Sequence, residues 1–199
     1  APTEGVIARR MAAAVAPFRP AFVTPMAAVA GAVAEEVLAA LVGPGIRRAY
    51  ANNGGDIALG LTPGERLTCA LAVSGGMDRV SVASTDPARG IATSGWRGRS
   101  FSLGIADAVT VVARTAAMAD AAATMVANAV DVDDPRIRRR PARELQWDSD
   151  LGERQVTVAV PVLSPEERTA ALDAGLDAAE GFRARGLIEG AALFLQGER

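Results

Sequence analysis

The sequence predicts an α+β domain in which helices pack on one face of an antiparallel sheet. Two Ala-rich segments, residues 25–41 and 116–130, have helical composition, and a third helix is expected after Ser164. Short aliphatic runs separated by Gly, Pro and Asn turns lie between these segments and at the end of the chain, as in antiparallel strands. With 199 residues, 50% of them hydrophobic, the chain is long enough to form one domain with a sizeable core.

The first half of the chain is expected to contain two helices and four strands. A helix over residues 5–15 is ended by Pro17 and Pro20. Thr24 is the expected N-cap of the second helix, with Pro25 at its first position. Strands are predicted at 46–51, 56–61, 67–73 and 79–84, with turns at 52–56, 62–64 and 74–76. The last three strands are expected to form an antiparallel meander.

The second half begins with a polar loop at residues 93–102, a strand at 108–112 and a helix that Thr115 caps. Charged residues 131–150 are interpreted as a surface connection with a short helix. A strand at 155–162 precedes a capping box, in which Ser164 is followed by Pro165 and Glu167. The helix that starts there is expected to end at Gly186, and residues 187–195 form a closing strand.

Composition excludes several classes of function. A net charge of −2, a pI near 5.3 and 4% aromatic residues provide no electrostatic footprint for nucleic acid. All 21 basic residues are Arg, and the chain has no His. Schiff-base chemistry, a phosphate-loop Lys, a Ser-His-Asp triad and a His-ligated metal are therefore excluded. Any chemistry must use Asp, Glu, Arg, hydroxyls, backbone amides or a hard metal ion.

Cys69 is the only cysteine, so no intrachain disulfide can form. Its alternation with aliphatic residues predicts a buried structural thiol on a strand rather than a nucleophile. No apolar run reaches the length of a membrane span, since the run at residues 27–34 ends at Glu35 and Glu36. A cytoplasmic location without membrane contact is expected.

Two Gly-bearing segments are candidates for binding a ligand. Consecutive backbone amides in the turn around Asn53, Gly54 and Gly55 can bind a phosphate or a carbonyl, although an ordinary hairpin turn is the alternative. In the loop at 93–102, Arg97 and Arg99 could grip a diphosphate while Trp96 stacks on a ring. The alternative there is a solvated loop with Trp96 anchored in the core.

Asp120 and Thr124 are four residues apart on the expected helix, which places their Cβ atoms roughly 5–6 Å apart. A carboxylate and a hydroxyl that converge in this way suit a hard cation such as Mg²⁺, which also takes water and substrate phosphate as ligands. A purely structural Asp–Thr pair is the alternative. Asp107 stands where a strand begins, so it either caps the preceding turn or faces the site.

These segments resemble, in order and spacing, the motifs of the ApbE-type FAD:protein FMN transferases. The matching stretches are residues 53–57, Thr93-Ser94-Gly95, Asp107 with the run to residue 113, and residues 119–124. Residues 90–113 resemble more closely the uncharacterised ApbE-like family, relatives of those transferases. The resemblance covers residues 22–130 well and the rest loosely.

The resemblance implies a T-fold built from two similar halves, and an N-terminal portion that is missing here. It implies Mg²⁺ held by Asp120, Thr124 and a backbone carbonyl near Ala27. It also implies FAD or another flavin nucleotide as the small-molecule partner, and it leaves a homo-oligomer open. The residues implied to bind the cofactor all lie in the two Gly-bearing segments: Asn53, Gly54, Gly55, Asp56, Thr93, Ser94, Gly95, Arg97 and Arg99.

The sequence departs from the transferase pattern at two places. Ala30 stands where those enzymes have a Lys, in a motif whose last Asp corresponds to Glu35. Their H-x-x-D-P-x-T-G segment is replaced by residues 99–107, which contain no His, no Asp-Pro and no Thr-Gly. Efficient transfer of FMN to a protein threonine is therefore not expected, because general base catalysis typically contributes about 10²–10⁴-fold.

Three functions remain open. The first is a Mg²⁺-dependent enzyme acting on a flavin nucleotide. Asp107 would be its remaining base, with water as the nucleophile. The reaction would be a slow hydrolysis of FAD to FMN and AMP. The second is a non-catalytic T-fold module that binds a flavin, a pterin or a purine-like ring. The third is a purely structural, oligomer-forming domain, which the motifs favour least.

Overall fold

The computed structural model describes residues 4–73 and 76–199, so part of the turn expected at 74–76 lies outside the described residues. The described residues form five α-helices: α1 (Val6–Val15), α2 (Val29–Leu41), α3 (Ala116–Ala129), α4 (Ala142–Leu145) and α5 (Pro165–Ala184). The same described part of the chain contains nine strands: β1 (Arg48–Asn53), β2 (Asp56–Leu61), β3 (Arg66–Val73), β4 (Gly76–Ala83), β5 (Gly90–Ser94), β6 (Ala108–Ala113), β7 (Arg138–Pro141), β8 (Gln155–Ala159) and β9 (Gly190–Phe194). The predicted α+β class with antiparallel sheets is confirmed.

The main sheet has the strand order β1-β2-β5-β6-β9, and every neighbouring pair is antiparallel. Strands β3 and β4 form a separate two-stranded hairpin, so the predicted meander is wrong. The second edge of β2 is occupied by β5, because Ile57 and Ala58 pair with Ile91 and Gly90. A strand has only two edges, so β3 has no place beside β2.

The two faces of the sheet differ in the size of their side chains. On β2 and β5, Ala58, Gly60 and Ala92 point towards the helices. Leu59 and Ile91 alternate with them and point to the other face, where the β3–β4 hairpin packs. Cys69 belongs to that apolar cluster, and burial raises the pKa of its thiol.

Helices α2, α3 and α5 form one layer on the small-residue face. Helix α2 packs over β1 and β2, α3 over β5 and β6, and α5 against α3 and β9. Half of the residues of α3 are buried alanines, which lets its backbone lie close to the sheet. No helix within residues 4–73 and 76–199 is both long enough and apolar enough to span a membrane.

Glycine sets the distance between α2 and α3. A Cβ atom on Gly31 would lie 2.7 Å from the backbone nitrogen of Ala117 and closer still to the carbonyl of Ala116. Glu35, one turn further along α2, then accepts a hydrogen bond from Ala117 N at 2.8 Å and another from Arg10 Nη1 at 2.6 Å. The N-terminal end of α3 is therefore capped from α2 as well as by Thr115, whose hydroxyl accepts from Met118 N.

Several local predictions are confirmed. Helix α1 covers the expected residues, and Thr115 caps α3. The capping box of α5 is complete, since Glu167 N donates to Ser164 Oγ at 3.2 Å and Ser164 N donates to Glu167 Oε2 at 2.7 Å. These features depend on neighbours in the sequence, which is why they could be predicted.

Other local predictions need correction. Thr24 makes no side-chain cap, because its hydroxyl bonds to Asp150 and Pro25–Ala28 forms a 3-10 turn before α2. Thr93 and Ser94 belong to strand β5 rather than to the polar loop. The expected surface connection after α3 contains strand β7, which pairs with β8 and alternates exposed with partly buried residues. Its partner is distant in the sequence, so the charged composition concealed it.

We expect Gly31→Ala to destabilise the protein by about 1–3 kcal/mol, because the new methyl group would overlap the first turn of α3. Gly181→Ala is the matched control, since a Cβ on this α5 glycine would meet no atom within 4 Å. That control should instead stabilise the protein by about 0.5–1 kcal/mol. Urea unfolding of both variants measures the difference, and equal midpoints would contradict the close contact between the helices.

Candidate functional site

A chain of hydrogen bonds connects the β1–β2 turn with the beginnings of α2 and α3. Asn53 is the register partner of Asp56 at this turn, and its side-chain amide donates to the carbonyl of Ala30 at 3.2 Å. The next residue, Gly31, donates its backbone N–H to Asp120 Oδ2 at 3.0 Å. Sequence analysis selected Asn53, Asp56 and Asp120 separately, and the fold brings them together.

Asp56 and Asp120 converge across the contact between the sheet and α3. Ala58 of β2 and Ala116 of α3 belong to one buried cluster. Asp56 lies two residues before Ala58 on the same face, roughly 6.7 Å along the strand, and Asp120 lies one turn after Ala116, roughly 6 Å along the helix. The two elements run in opposite directions, so both carboxylates lie at the same end of this contact.

Burial changes the protonation of both carboxyl groups. It raises the pKa of Asp120 to about 7, the negative charge of Asp56 raises it too, and the N–H groups of Gly31 and Ala30 oppose the shift. It also raises the pKa of Asp56 to about 6, against the Thr93 N–H and the positive charge of Arg99. Asp56 Oδ1 is buried with no hydrogen-bond partner among the described residues. An unpaired buried oxygen of this kind is costly in a folded protein.

Arg99 lies over the β1–β2 turn. Gly54 has a φ of 72°, and a Cβ atom there would overlap the guanidinium, with Arg99 Cζ only 3.1 Å away. Within residues 4–73 and 76–199 no ion pair joins Arg99 to a carboxylate, and its side chain is exposed. The amide of Gly55 is already used, since it donates to Asn52 Oδ1 at 2.9 Å. Arg99 is thus the clearest anion-binding group beside the acidic pair.

The structure places Arg97 and Asp107 in a second group. Arg97 Nε donates to Asp107 Oδ1 at 2.6 Å, and the backbone N–H of Gln196 donates to Asp107 Oδ2 at 2.6 Å. The Arg97 guanidinium also lies 4.8 Å from the ring centroid of Trp96. Both oxygens of Asp107 are therefore engaged, and its side chain is only 5% exposed. Sequence reasoning selected both residues but did not predict their ion pair.

The remaining predicted residues do not all lie beside the acidic pair. The Thr93 hydroxyl bonds to Thr110 on the hairpin side of the sheet, while Ser94 lies on the helix side. Gly95 packs closely, because a Cβ there would lie 2.8 Å from the carbonyl oxygen of Ala106. Thr124 is half-buried, one turn after Asp120, and Ala27 is half-buried in the turn that α3 contacts.

The donor set fits a hard cation. Within residues 4–73 and 76–199 no three His, Cys, Asp or Glu side chains cluster as metal ligands. The candidates here are oxygen donors of several kinds: two carboxylates, the Thr124 hydroxyl and backbone carbonyls at the start of α2. Such all-oxygen sets suit Mg²⁺. The unpartnered oxygen of Asp56 adds a buried atom that a cation would satisfy.

A groove lies elsewhere, between α5 and β9. Its volume is about 600 Å³, and Leu172, Leu176 and Phe194 contribute to its walls. It contains none of the predicted site residues. Arg199 and Asp78, at its rim, pair with each other at 3.4 Å. We assign the candidate site to the acidic pair, because two carboxyl groups with raised pKa values lie there beside the start of α2.

Comparison with known proteins comes from one family model and a set of curated relatives. The model described as "AbpE bacteria" matches residues 1–199. A UPF0280 protein of Methanothermobacter thermautotrophicus is 42% identical over 120 residues, covering 58% of this chain and 46% of the relative. A UPF0280 protein of Methanothrix thermoacetophila is 39% identical over 123 residues, covering 56% of this chain and 48% of the relative. A UPF0280 protein of Methanopyrus kandleri is 36% identical over 159 residues, covering 76% of this chain and 61% of the relative. The chain spans about half the length of the curated relatives it matches.

We expect stability without divalent cations to fall as the pH rises from about 4 to 8. The pKa values of Asp56 and Asp120 are raised from 3.8 to about 6 and about 7, so the folded state retains protons that the unfolded state has lost. The stability that this proton retention contributes is fully present below pH 3.8. It is lost as the pH rises through the raised pKa values of the folded state. The loss is on the order of a few kcal/mol.

Asp120→Asn should flatten this dependence and stabilise the protein at pH 8, because an amide replaces the buried charge. Asp173→Asn, on the exposed face of α5, is the control and should leave the slope unchanged. Urea unfolding in EDTA at a series of pH values measures both. Identical slopes for Asp120→Asn and wild type would contradict the buried acidic pair.

Proposed function

The chain belongs to the AbpE bacteria family, and from this premise we propose that it binds a flavin nucleotide or a related nucleotide together with Mg²⁺. One observation carries the proposal: two half-buried carboxylates, Asp56 and Asp120, converge beside the exposed guanidinium of Arg99, and one oxygen of Asp56 is buried without a partner in the described part of the chain. The adjacent acidic and basic groups suit a cation and a diphosphate bound side by side. A relationship to the ApbE-type transferases, with a T-fold of two similar halves, is part of the proposal.

The residues proposed to hold the cation are Asp120, Thr124 and a backbone carbonyl near Ala27. Mg²⁺ bound there would supply positive charge to the oxygens of the diphosphate. Gly31 positions Asp120 through its N–H group, and Asn53 fixes the neighbouring carbonyl of Ala30. The turn that contains Ala27 packs against α3, which supports its place in this set.

The nucleotide is proposed to lie between the β1–β2 turn and the loop that follows β5. Arg99 supplies the charge for the diphosphate, and Gly54, whose lack of a side chain makes room for the guanidinium, brings it close to the turn. Ser94 is on the helix side of the sheet, as Asp56 is. The Arg97 guanidinium lies over the Trp96 ring at the beginning of this loop.

Catalysis is proposed to be slow or absent. The chain has no His or Lys, and both oxygens of Asp107 are engaged by Arg97 and Gln196. If Arg97 moved away, Asp107 could accept a proton from a water molecule that attacks one phosphorus of FAD. The bond between that phosphorus and the bridging oxygen would break, releasing FMN and AMP. The fixed Asp107 favours the second candidate function, a binding module that holds the nucleotide without turning it over.

We expect FAD binding to require Mg²⁺ and to weaken by about 1.5–3 kcal/mol in Arg99→Ala, because a charge-assisted hydrogen bond is lost. Arg97→Ala is the matched control, since its guanidinium is already paired with Asp107, and its effect should be smaller. Calorimetric titration of FAD, with Mg²⁺ or with EDTA, measures these affinities. Equal affinity in wild type and both variants would remove the loop from the site, and a wild type that binds no FAD would remove the proposed ligand.

We expect no efficient transfer of FMN to a protein threonine, because no residue of the chain supplies the base of the transferase motif. The protein is incubated with FAD, Mg²⁺ and an acceptor bearing the transferases' target sequence, and mass spectrometry detects covalent flavin. A transferase with the complete motif serves as positive control. Multiple turnovers on the acceptor would contradict this expectation, while FMN and AMP without labelled acceptor would indicate hydrolysis.

A further inference from the structure

We propose that Asp56 is a direct ligand of the cation, so that two carboxylates from different elements hold it. This role rests on the proposed Mg²⁺ site and adds a ligand that the resemblance assigned only to the nucleotide. Asp56 comes from the first residue of β2, whereas Asp120 comes from the second turn of α3. The cation would then join the sheet to the helix layer.

Asp56 and Asp120 occupy backbone positions at the same end of the contact between β2 and α3. Asp56, Ala58 and Gly60 occupy one face of β2, and Ala58 contacts the cluster that contains Ala116. Asp120 lies one turn further along α3 on the side of Ala116. Ala58 and Ala116 belong to the same buried cluster, so β2 and α3 are packed together next to both carboxylates.

The two carboxylates differ in their hydrogen bonding. Asp120 Oδ2 is bound by Gly31 N at 3.0 Å, which fixes the orientation of its carboxylate. Asp56 Oδ1, by contrast, is buried without a partner in the described part of the chain. Arg99 lies over Gly54 and forms no ion pair there with Asp56, so it does not satisfy this oxygen. A divalent cation would neutralise both carboxylates at once.

The coordination chemistry of Mg²⁺ agrees with this arrangement. Mg²⁺ takes about six oxygen ligands and usually keeps positions for water and substrate phosphate. Carboxylates of Asp56 and Asp120, the Thr124 hydroxyl and one backbone carbonyl would occupy about four of them. The remaining positions would face the exposed side, where Arg99 lies.

The test is calorimetric titration of Mg²⁺ alone into the full chain and three isosteric variants. Asp56→Asn and Asp120→Asn should each lower the affinity at least 10–100-fold, by removing a charged ligand. Asp134→Asn is the matched control: this carboxylate is also buried but pairs with Arg136, and the affinity should stay within about twofold. Circular dichroism confirms that each variant is folded, and an amide at position 56 is expected to be tolerated because it removes a buried charge.

The outcomes separate this role from the proposed function. Loss of Mg²⁺ binding in Asp120→Asn with wild-type affinity in Asp56→Asn would overturn the role of Asp56 and leave the Mg²⁺ site standing. A wild type that binds no Mg²⁺ would overturn both. Loss in both variants but not in Asp134→Asn supports the shared site.

A second measurement distinguishes a ligand from a residue that only positions Asp120. Tb³⁺ takes the same hard oxygen donors, and its luminescence lifetimes in H₂O and D₂O give the number of bound water molecules. Asp56→Ala should increase that number by about one, because water replaces the lost carboxylate. An unchanged number of water molecules would mean that Asp56 does not touch the cation and would overturn the proposal.

Discussion

The close approach of α2 and α3 is the constraint on which the rest of this structure depends. Gly31 permits it, because any side chain there would overlap Ala116 and Ala117. The same approach brings Glu35 to the first turn of α3 and the Gly31 N–H to Asp120. Alanine and glycine on the helix-facing side of β2 and β5 extend the close contact to the sheet. Packing and the candidate site therefore share one structural cause.

Such close packing has an electrostatic consequence. Asp56 and Asp120 are half-buried, and the charge of Asp56 helps to raise the pKa of Asp120. Hydrogen bonds to Asp120 offset only part of the cost of burying charge, and Asp56 Oδ1 receives none in the described part of the chain. Groups that lower stability in this way are common at functional sites. The proposed cation site rests on this unpaired oxygen and on the charge of the two carboxylates.

The secondary structure shows where sequence reasoning succeeds. Helices α1, α3 and α5 and the caps at Thr115 and Ser164 were predicted because their signals come from residues within one turn. Strand β5 was missed because Gly90, Ala92 and Ser94 have weak strand preference, and its pairing with β2 and β6 decides its conformation. The meander failed for the same reason: strand order depends on pairing between distant segments.

The sequence by itself determined the α+β class, the all-oxygen chemistry available and the segments that contain the candidate residues. Only the tertiary structure decided which of those residues meet. It brought Asp56 near Asp120, paired Arg97 with Asp107 and placed Arg99 over Gly54. The physical reason is that residue type and local spacing fix what a side chain can donate or accept. Its neighbours across the sheet and helix layers are fixed by strand order and by how closely glycine and alanine let two backbones approach.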